Sequence, residues 1–530
     1  MRQIHLMAVD LVFHSPRWLF NLTIGITATV VLVAISQLLF KRLPMMDDSV
    51  AALYQARIFA HGKLVWPVAE TLKPWFDVFG VITPIGKPGV WAGMYPPGWS
   101  LALAFGVWLG VPWLVNPVLG GCLVVMICEL GHELYDNVTA RTAALLALFS
   151  PMAGVVSATH LSHTSAALSC MFAWWSVLRL QSTRRYFYAF LLGMSLAAGV
   201  LIRPQDALLV GIVIGIGVLV QFRRALALWR QLAVAVAIAG LGVVALLAFQ
   251  YIASGAAGVF GHEIEMGAVS HLGFGRVGDS SYVYTPTKAI QHTLGRLEVL
   301  DWQLLGWPIP TLILLLTPFV LWRGGWREVW LLAPTLALSG LFFFYWYWEE
   351  WLPARYLFAA VPPLFILAAR GGYLWHDSLR HVKYLSWLPA FIFMGGTVYS
   401  ATVGMPEYHR FFQRNHGDVE HNLGAVMDAH DVTHALVFMR STGKLPSNQR
   451  NDYYATGFMR NSLNLDGNIV FARDGSDRSV GKSDEELIKA FPGRSYYLYR
   501  YNQSTRRSKL FLLVAEHGHI VKKRKLGSYP

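Results

Sequence analysis

Eleven long apolar stretches constrain this chain more than any other feature. They run roughly 18–40, 115–132, 142–158, 162–179, 187–202, 205–222, 231–252, 302–322, 329–346, 355–370 and 384–403. A helix needs about 20 mostly apolar residues to cross a bilayer, so the spacing predicts about eleven transmembrane helices. The first run is too long for a cleavable signal segment and has no obvious small-residue cleavage site, so it reads as an anchor. Charge follows the same division. Residues 404–530 carry 32 charged residues in 127, whereas residues 1–403 carry 43 in 403. A membrane body, 1–403, is therefore expected to be followed by a water-soluble unit, 404–530. A net charge of +13 and a pI near 9.6 suggest a nucleic-acid binder. A mean hydropathy of +0.42 argues against that, and no nucleic-acid partner is expected.

Sidedness follows from the basic residues. The segment Trp99–Gly110 is apolar but short, and it is bounded by Pro96, Pro97 and Pro112. If it does not span, and the N-terminus is cytoplasmic, the short loops holding Arg141, Arg184, Arg223, Arg327 and Arg380 share one side. Fourteen basic residues then fall on about 60 residues of cytoplasmic loop, against eleven on about 120 residues outside. That agrees with the positive-inside bias of short loops. Lys41 and Arg42 depart from it mildly. Two long loops, 41–98 and 254–300, and the C-terminal unit then face outward. Loops of this length usually carry function.

The C-terminal unit reads as a small α/β domain. Strands are expected at Ala435–Met439, Asn468–Arg473, Tyr496–Tyr501 and Leu510–Ala515, and Ser483 with Glu486 opens a helix as a capping box. Packing over the membrane part, where it shapes the acceptor entrance, is its expected role. Its basic run Lys522-Lys523-Arg524-Lys525 suits anionic headgroups of membrane lipids. The three cysteines, Cys122, Cys128 and Cys170, lie in apolar runs, so this unit has no disulfide framework.

Candidate chemistry gathers at the outward membrane boundary. Asp47-Asp48 sit just beyond the first span, where Val50, Leu53, Tyr54 and Ile58 begin a helical pattern. One acid serves as an N-cap on the plain reading. The other reading is a general base, kept ionised by the helix N-terminus. Tyr95-Pro96-Pro97 stiffens the entry into the interfacial segment. Arg203 needs a partner at its depth: the headgroup level, or a lipid phosphate held by its guanidinium. Arg355, beside Tyr356, either pairs with Glu350 at the surface or joins Arg203 in an anion site. Glu349 and Glu350 are candidate substrate-lining acids. His160 and His163 have i, i+3 spacing, which would put them on one helix face as metal ligands, sugar contacts or polar lining. His262, Glu263, Glu265 and His271 are weaker candidates. Gly273-Phe274-Gly275-Arg276-Val277-Gly278 matches a dinucleotide fingerprint, but it lies between membrane helices rather than in a βαβ unit, and reads as loop glycines.

Taken together, these residues resemble the GT-C class of integral-membrane glycosyltransferases, which includes protein O-mannosyltransferases and lipid A aminoarabinose transferases. The likeness rests on Asp47-Asp48, Tyr95-Pro96-Pro97, and Arg355-Tyr356-Leu357 with Pro362-Pro363, in that order and on one side. It implies a polytopic α-helical membrane protein, a GT-C-like bundle of about 11 transmembrane helices with juxtamembrane helices. It also implies a polyprenyl-phosphate-linked sugar as donor and a glycan, lipid or protein acceptor. The acceptor hydroxyl would attack the anomeric carbon with inversion. Asp47 is the expected base and Asp48 its orienting partner, although the second acid is Asp where many relatives have Glu. Arg203, Arg355 and Tyr356 would bind the donor phosphate; Tyr95, His160, His163, Glu349 and Glu350 would line the substrate site. No cofactor is required by the sequence; the resemblance allows a divalent metal, for which no ligand set stands out. The expected setting is a bacterial inner membrane with the site on its periplasmic face. A transporter or flippase is the competing class, but paired repeats and midplane charges are missing. An oligosaccharide polymerase or ligase is the third, against which the early acidic pair speaks.

Overall fold

The structure is a computed structural model that describes residues 15–44, 46–220, 227–267, 272–278, 280–348, 352–382, 385, 387–408, 410, 422–442, 454–475, 481–502, 504–505 and 507–529. It is a mostly helical, integral-membrane architecture. The helices used below are α1 (Arg17–Leu38), α2 (Asp47–Ala60), α3 (Pro97–Trp108), α4 (Val115–Leu134), α5 (Asn137–Leu148), α6 (Pro151–Ser157), α7 (His163–Thr183), α8 (Tyr186–Ile202), α9 (Pro204–Val220) and α10 (Trp229–Ser254). They are followed by α11 (Gly261–Met266), α12 (Pro286–Leu305), α13 (Leu312–Val320), α14 (Trp326–Phe342), α15 (Val361–Leu379), α16 (Leu388–Tyr399), α17 (Asn422–Ala429) and α18 (Asp484–Ala490).

Among the described residues, five helices are long and apolar enough to cross a membrane: Arg17–Leu38, Pro112–Leu134, Trp229–Ser254, Ala354–Leu379 and Leu388–Tyr408. A sixth is added if α5 and α6, bent by 62°, count as one broken span. α8 and α9 are apolar but shorter. The eleven expected spans are therefore not matched helix for helix, and the departures have local causes. At 142–158 the run is broken where Pro151 starts α6 and Ser150 caps it, its Oγ accepting from the Ala153 N–H at 3.1 Å. At 302–322, α12 ends on Gly306 at φ +63°, and Pro308 and Pro310 delay α13, which has only nine residues. An apolar run cannot reveal such a break by hydropathy alone. α3 has twelve residues, about 18 Å at 1.5 Å per residue, which is short of a hydrocarbon core of about 30 Å.

Apolar side chains cover much of the outer surface, as lipid contact requires. Leu22, Ile26 and Val30 on α1 and Phe391, Met394 and Val398 on α16 are exposed. Between helices, small residues allow close approach. A Cβ on Gly193 of α8 would meet the Ala235 carbonyl of α10 at 2.7 Å, and one on Gly242 would meet Ala197 Cα at 2.6 Å. Two acids of α4 are tied to basic or amide side chains of neighbouring helices. Glu129 of α4 accepts from Arg17 and Asn21 of α1, and Glu133 accepts from Arg179 at 3.3 Å.

The segment between α2 and α3 carries a small antiparallel sheet of β1 (Trp66–Pro67), β2 (Val81–Ile82) and β3 (Val90–Gly93), ordered β1-β3-β2. Between α11 and α12, β4 (Gly275–Arg276) pairs with β5 (Val283–Tyr284), so the glycine motif forms a hairpin. The C-terminal elements build a five-stranded sheet from β6 (Ala435–Thr442), β7 (Ile469–Arg473), β8 (Ser495–Asn502), β9 (Arg507–Glu516) and β10 (His519–Tyr529). Its order is β10-β9-β8-β6-β7, with β6 parallel to both neighbours and the rest antiparallel. The capping box of Ser483 and Glu486 opens α18. The run Lys522–Lys525 lies in β10, an edge strand that the sequence reading did not identify; charged edges discourage strand pairing.

α2 joins these parts. Its i, i+4, i+8 face of Val50, Tyr54 and Ile58 shares one buried cluster with Trp66, Trp75 and Trp91 of the segment between α2 and α3 and with Phe438, Phe458 and Leu498 of the C-terminal elements. Ala52 and Ala56, on another face, pack against Trp99 and Leu103 of α3. A helix buried on two sides is fixed in position as well as in conformation, and that fixes its N-terminus.

Candidate active site

The acidic pair occupies the first turn of α2. Met46 is the N-cap, in extended backbone at φ −140°, and its carbonyl accepts from the N–H groups of Ser49 and Val50. Neither aspartate is the cap, contrary to the plain reading; both are helical residues at the positive end of the helix dipole. They point differently. Asp47 is buried, and Asp48 is about one-third exposed at its side chain.

Both oxygens of Asp48 are engaged. Tyr95 donates its hydroxyl to Oδ1 at 2.5 Å, and Arg355 donates Nη2 to Oδ2 at 3.2 Å. Arg355 also directs Nη1 to Met46 Sδ at 3.0 Å. It is only 4% exposed and pairs with an acid 307 positions away, so it is not a surface residue. Burial, then the charge and hydrogen bond of Asp48, hold the Tyr95 hydroxyl protonated well above its ordinary range.

Backbone packing brings Tyr95 here. A Cβ on Gly98 would lie 2.8 Å from the Leu201 carbonyl group, so glycine lets the start of α3 rest on the end of α8. On the other side, Gly80 at φ +84° closes on Ala51 of α2, and its carbonyl accepts from the Met94 N–H at 2.9 Å. The proline pair and these glycines thus clamp residues 94–98 between α2 and α8.

Arg203, at the end of α8, donates Nε to Asp206 Oδ2 at 2.6 Å. Asp206 is 1% exposed, in the first turn of α9. This partner was not singled out from the sequence, although Arg203-Pro204-Gln205-Asp206 has i, i+3 spacing across a helix start. His163 begins α7, is buried, and lies within electrostatic reach of both Arg203 and Arg355. His160 is not on that helix. The Trp99 indole donates to its carbonyl at 2.7 Å, and the Asn116 amide donates to the carbonyls of Thr159 and Leu161. These bonds hold 159–161 as a turn, so the two histidines do not share a helix face.

Tyr356 stacks among aromatic rings, 5.1 Å from Phe342 and 5.8 Å from Tyr345. Beside it is Arg296 of α12, which is 2% exposed and was not anticipated. It donates to the carbonyls of Phe342 at 2.8 Å and Tyr347 at 2.6 Å. It thereby satisfies the orphan carbonyl end of α14. Glu349, Glu350 and His271 lie outside the described residues.

α11 reaches the same region. His262 feels the charge of Asp48, and Glu265 that of Asp47. Glu265 is pushed up to about 7, first by burial, then by the charges of Asp77 and Asp47, against a hydrogen bond from Gly80. Among the described residues, no three His, Cys, Asp or Glu side chains are placed to hold a metal ion.

No family model and no curated protein sequence matches the chain. Solved structures do. ArnT from Cupriavidus metallidurans bound to undecaprenyl phosphate superposes with a TM-score of 0.53 at 13% identity, over 89% of this chain and 92% of its own. Its apo state gives 0.53 at 14% identity with the same coverage. AglB, the oligosaccharyltransferase of Archaeoglobus fulgidus, matches more loosely in its complex with an inhibitory peptide and dolichol phosphate. It has a TM-score of 0.47 at 11% identity, over 91% of this chain and 69% of its own. Beyond the sequence motifs, the chain thus has the fold of the integral-membrane GT-C glycosyltransferases.

Proposed function

We propose that the protein is a glycosyltransferase that moves a sugar from a polyprenyl-phosphate donor to an acceptor hydroxyl. The reaction takes place on the non-cytoplasmic face of a membrane, in a bacterial cell the periplasmic face of the inner membrane. The observation that carries this is the Asp48–Arg355 pair, which places a carboxylate pair and a buried guanidinium at one point of a GT-C fold. In this reading residues 1–403 are the transferase body and 404–530 a non-cytoplasmic unit that shapes the acceptor side.

The acceptor O–H attacks the anomeric carbon from the face opposite the phosphate. A new C–O bond forms as the bond to the phosphate oxygen breaks, so the anomeric centre inverts. Asp47 takes the hydroxyl proton. Asp48 orients, since its two oxygens are already held by Tyr95 and Arg355. The leaving polyprenyl phosphate keeps the electron pair, and its growing charge is met by Arg355 and Arg203 with Tyr356 alongside. His163, with His160 and Tyr95, lines the sugar. One carboxylate base suffices, because phosphate leaves without protonation by the enzyme.

Consumption of a radiolabelled polyprenyl-phosphate sugar by the protein in detergent or vesicles tests this. Transfer is expected to be lost in Asp47→Asn. If Asp47→Asn and Asp48→Asn both keep full transfer, the base assignment is wrong. Movement of the lipid across vesicles without consumption identifies a flippase instead. Growth of a lipid-linked chain identifies a polymerase.

A further inference from the structure

The basic run Lys522-Lys523-Arg524-Lys525 is not one patch. Side chains alternate between the two faces of a sheet. Lys522 stands opposite Val514 and Arg524 opposite Leu512, whereas Lys523 stands opposite Leu513 and Lys525 opposite Phe511. The register carries the second face across the sheet. Phe511 is paired with Leu498, and Leu498 with Phe438. Two residues further along that face come Lys509 on β9, Arg500 on β8 and Arg440 on β6, each opposite the next.

Three cations thus form a row across three adjacent strands. Neighbouring strands lie about 4.8 Å apart, and like charges set opposite one another weaken a sheet. Lys523 joins the row from β10. Its Nζ lies 4.9 Å from the centre of the Phe511 ring, on which the Arg500 guanidinium also rests, at 5.4 Å. Burial, then the charges of Arg440 and Arg500, lower the pKa of Lys523 from its ordinary value. Arg440 and Arg500 are half-buried and Lys509 and Lys523 are exposed, so the guanidinium groups make a floor and the ammonium groups a rim.

Acids answer only part of this charge. Asp474, 1% exposed, holds Arg440 through two bonds, from Nε to Oδ2 and from Nη2 to Oδ1, both at 2.7 Å. Asp484, at the start of α18, accepts from the Gly475 N–H at 2.6 Å and lies within electrostatic reach of Arg440 and Lys523. The Nε of Arg500 is buried with no hydrogen-bond partner among the described residues. Arg440, Arg500, Lys509 and Lys523 against Asp474 and Asp484 leave two positive charges over. A phosphate monoester carries about −1.5 to −2 near neutral pH, and guanidinium groups offer its oxygens paired N–H donors. A carboxylate brings about half that charge, and a neutral sugar none.

We propose that this face of the C-terminal sheet binds a phosphate monoester, over Arg440 and Arg500 and between Lys509 and Lys523. The phosphate can belong to a lipid headgroup or to a soluble or glycan-borne group. The proposal does not depend on the glycosyltransferase reading. Full-length protein in uncharged detergent is titrated calorimetrically, at fixed ionic strength, with glucose 6-phosphate, glucuronate and glucose. Undecaprenyl phosphate binding is measured on the same samples. Two double variants remove equal charge from opposite faces: Arg500→Gln with Lys523→Gln, and Lys522→Gln with Arg524→Gln. Glucose 6-phosphate is expected to bind, glucuronate at least fivefold more weakly, and glucose not at all. The first double variant should bind glucose 6-phosphate at least tenfold more weakly than the parent, the second within twofold of it, and Lys509→Gln alone about threefold more weakly. Undecaprenyl phosphate binding should stay the same in all three. Competition by dioctanoyl phosphatidic acid tells the sources apart: tenfold tighter binding than glucose 6-phosphate assigns the phosphate to a lipid, and equal or weaker binding to a soluble or glycan-borne group. The proposal is overturned if glucose 6-phosphate does not bind, if glucuronate binds as tightly, or if the two double variants weaken it equally, which would leave only diffuse charge. Glucose 6-phosphate binding without undecaprenyl phosphate binding sinks the donor reading and leaves this site standing.

Discussion

The Asp48–Arg355 pair makes two substitutions act in opposite directions on donor binding. In the structure Asp48 Oδ2 lies 3.2 Å from Arg355 Nη2. A lipid phosphate that uses this guanidinium must compete with the aspartate. The gross attraction at that distance is about 5 kcal/mol at an effective dielectric of 20. Asp48 is 31% exposed at its side chain, so solvent and the lost desolvation reduce the net pairing to about 1–2 kcal/mol. Asp48→Asn removes the competing charge but keeps a group of the same shape beside Tyr95. It is expected to tighten undecaprenyl phosphate binding by about 5–30-fold, at 1.4 kcal/mol per factor of ten. Arg355→Gln removes a charge-assisted contact of about 1.5–3 kcal/mol and should weaken it by roughly 10–150-fold. Native mass spectrometry or a fluorescent-lipid titration at fixed ionic strength reads both. Equal weakening by the two substitutions, or no change with Asp48→Asn, would show that Arg355 is not held in reserve by Asp48.

Three further outcomes follow from the geometry. Glu265 is pushed up to about 7 from a reference of 4.5, so the folded state binds the proton more tightly than the unfolded one and stability falls as pH rises from about 4.5 to 7. After discounting for partial exposure, Glu265→Gln should be more stable than the parent above pH 7 by about 1–3 kcal/mol, with the gain vanishing near pH 4.5, as read from thermal unfolding across pH. Asp206→Ala leaves the largely covered Arg203 without its buried partner and should cost about 1–3 kcal/mol, whereas Arg203→Met with Asp206→Leu should recover most of it in the same assay. Gly98→Val forces a side chain into the Leu201 backbone; it should cost about 1–3 kcal/mol and lower transfer more than lipid binding, because Tyr95 moves with α3.

What was legible was a set of candidates in order along the chain. Asp47-Asp48, Tyr95 and Arg355 are each weak signals, and 307 positions separate Asp48 from the arginine that pairs with it. The structure brings Tyr95 and Arg355 to the two oxygens of Asp48, a convergence that no single motif encodes. What was illegible is of two kinds. Breaks at Ser150–Pro151 and at Gly306 lie inside continuous apolar runs, where hydropathy is insensitive to backbone direction. Partnerships such as Arg296 with the carbonyls of Phe342 and Tyr347 depend on which helix end arrives nearby, and no spacing in one segment encodes that. The i, i+3 rule misled at His160 and His163 because a turn held by Asn116 replaces the helix that the spacing assumed.

The cluster joining Val50, Tyr54 and Ile58 to Phe438, Phe458 and Leu498 has a consequence for how the protein comes into being. The helix that bears Asp47 leaves the ribosome early, and the side chains it packs against are nearly 400 residues downstream. Until that later segment has been made, the Val50, Tyr54 and Ile58 face of α2 lacks part of its packing and the helix is not fully seated. Any activity that depends on Asp47 should therefore appear only after residues 438–498 have been made.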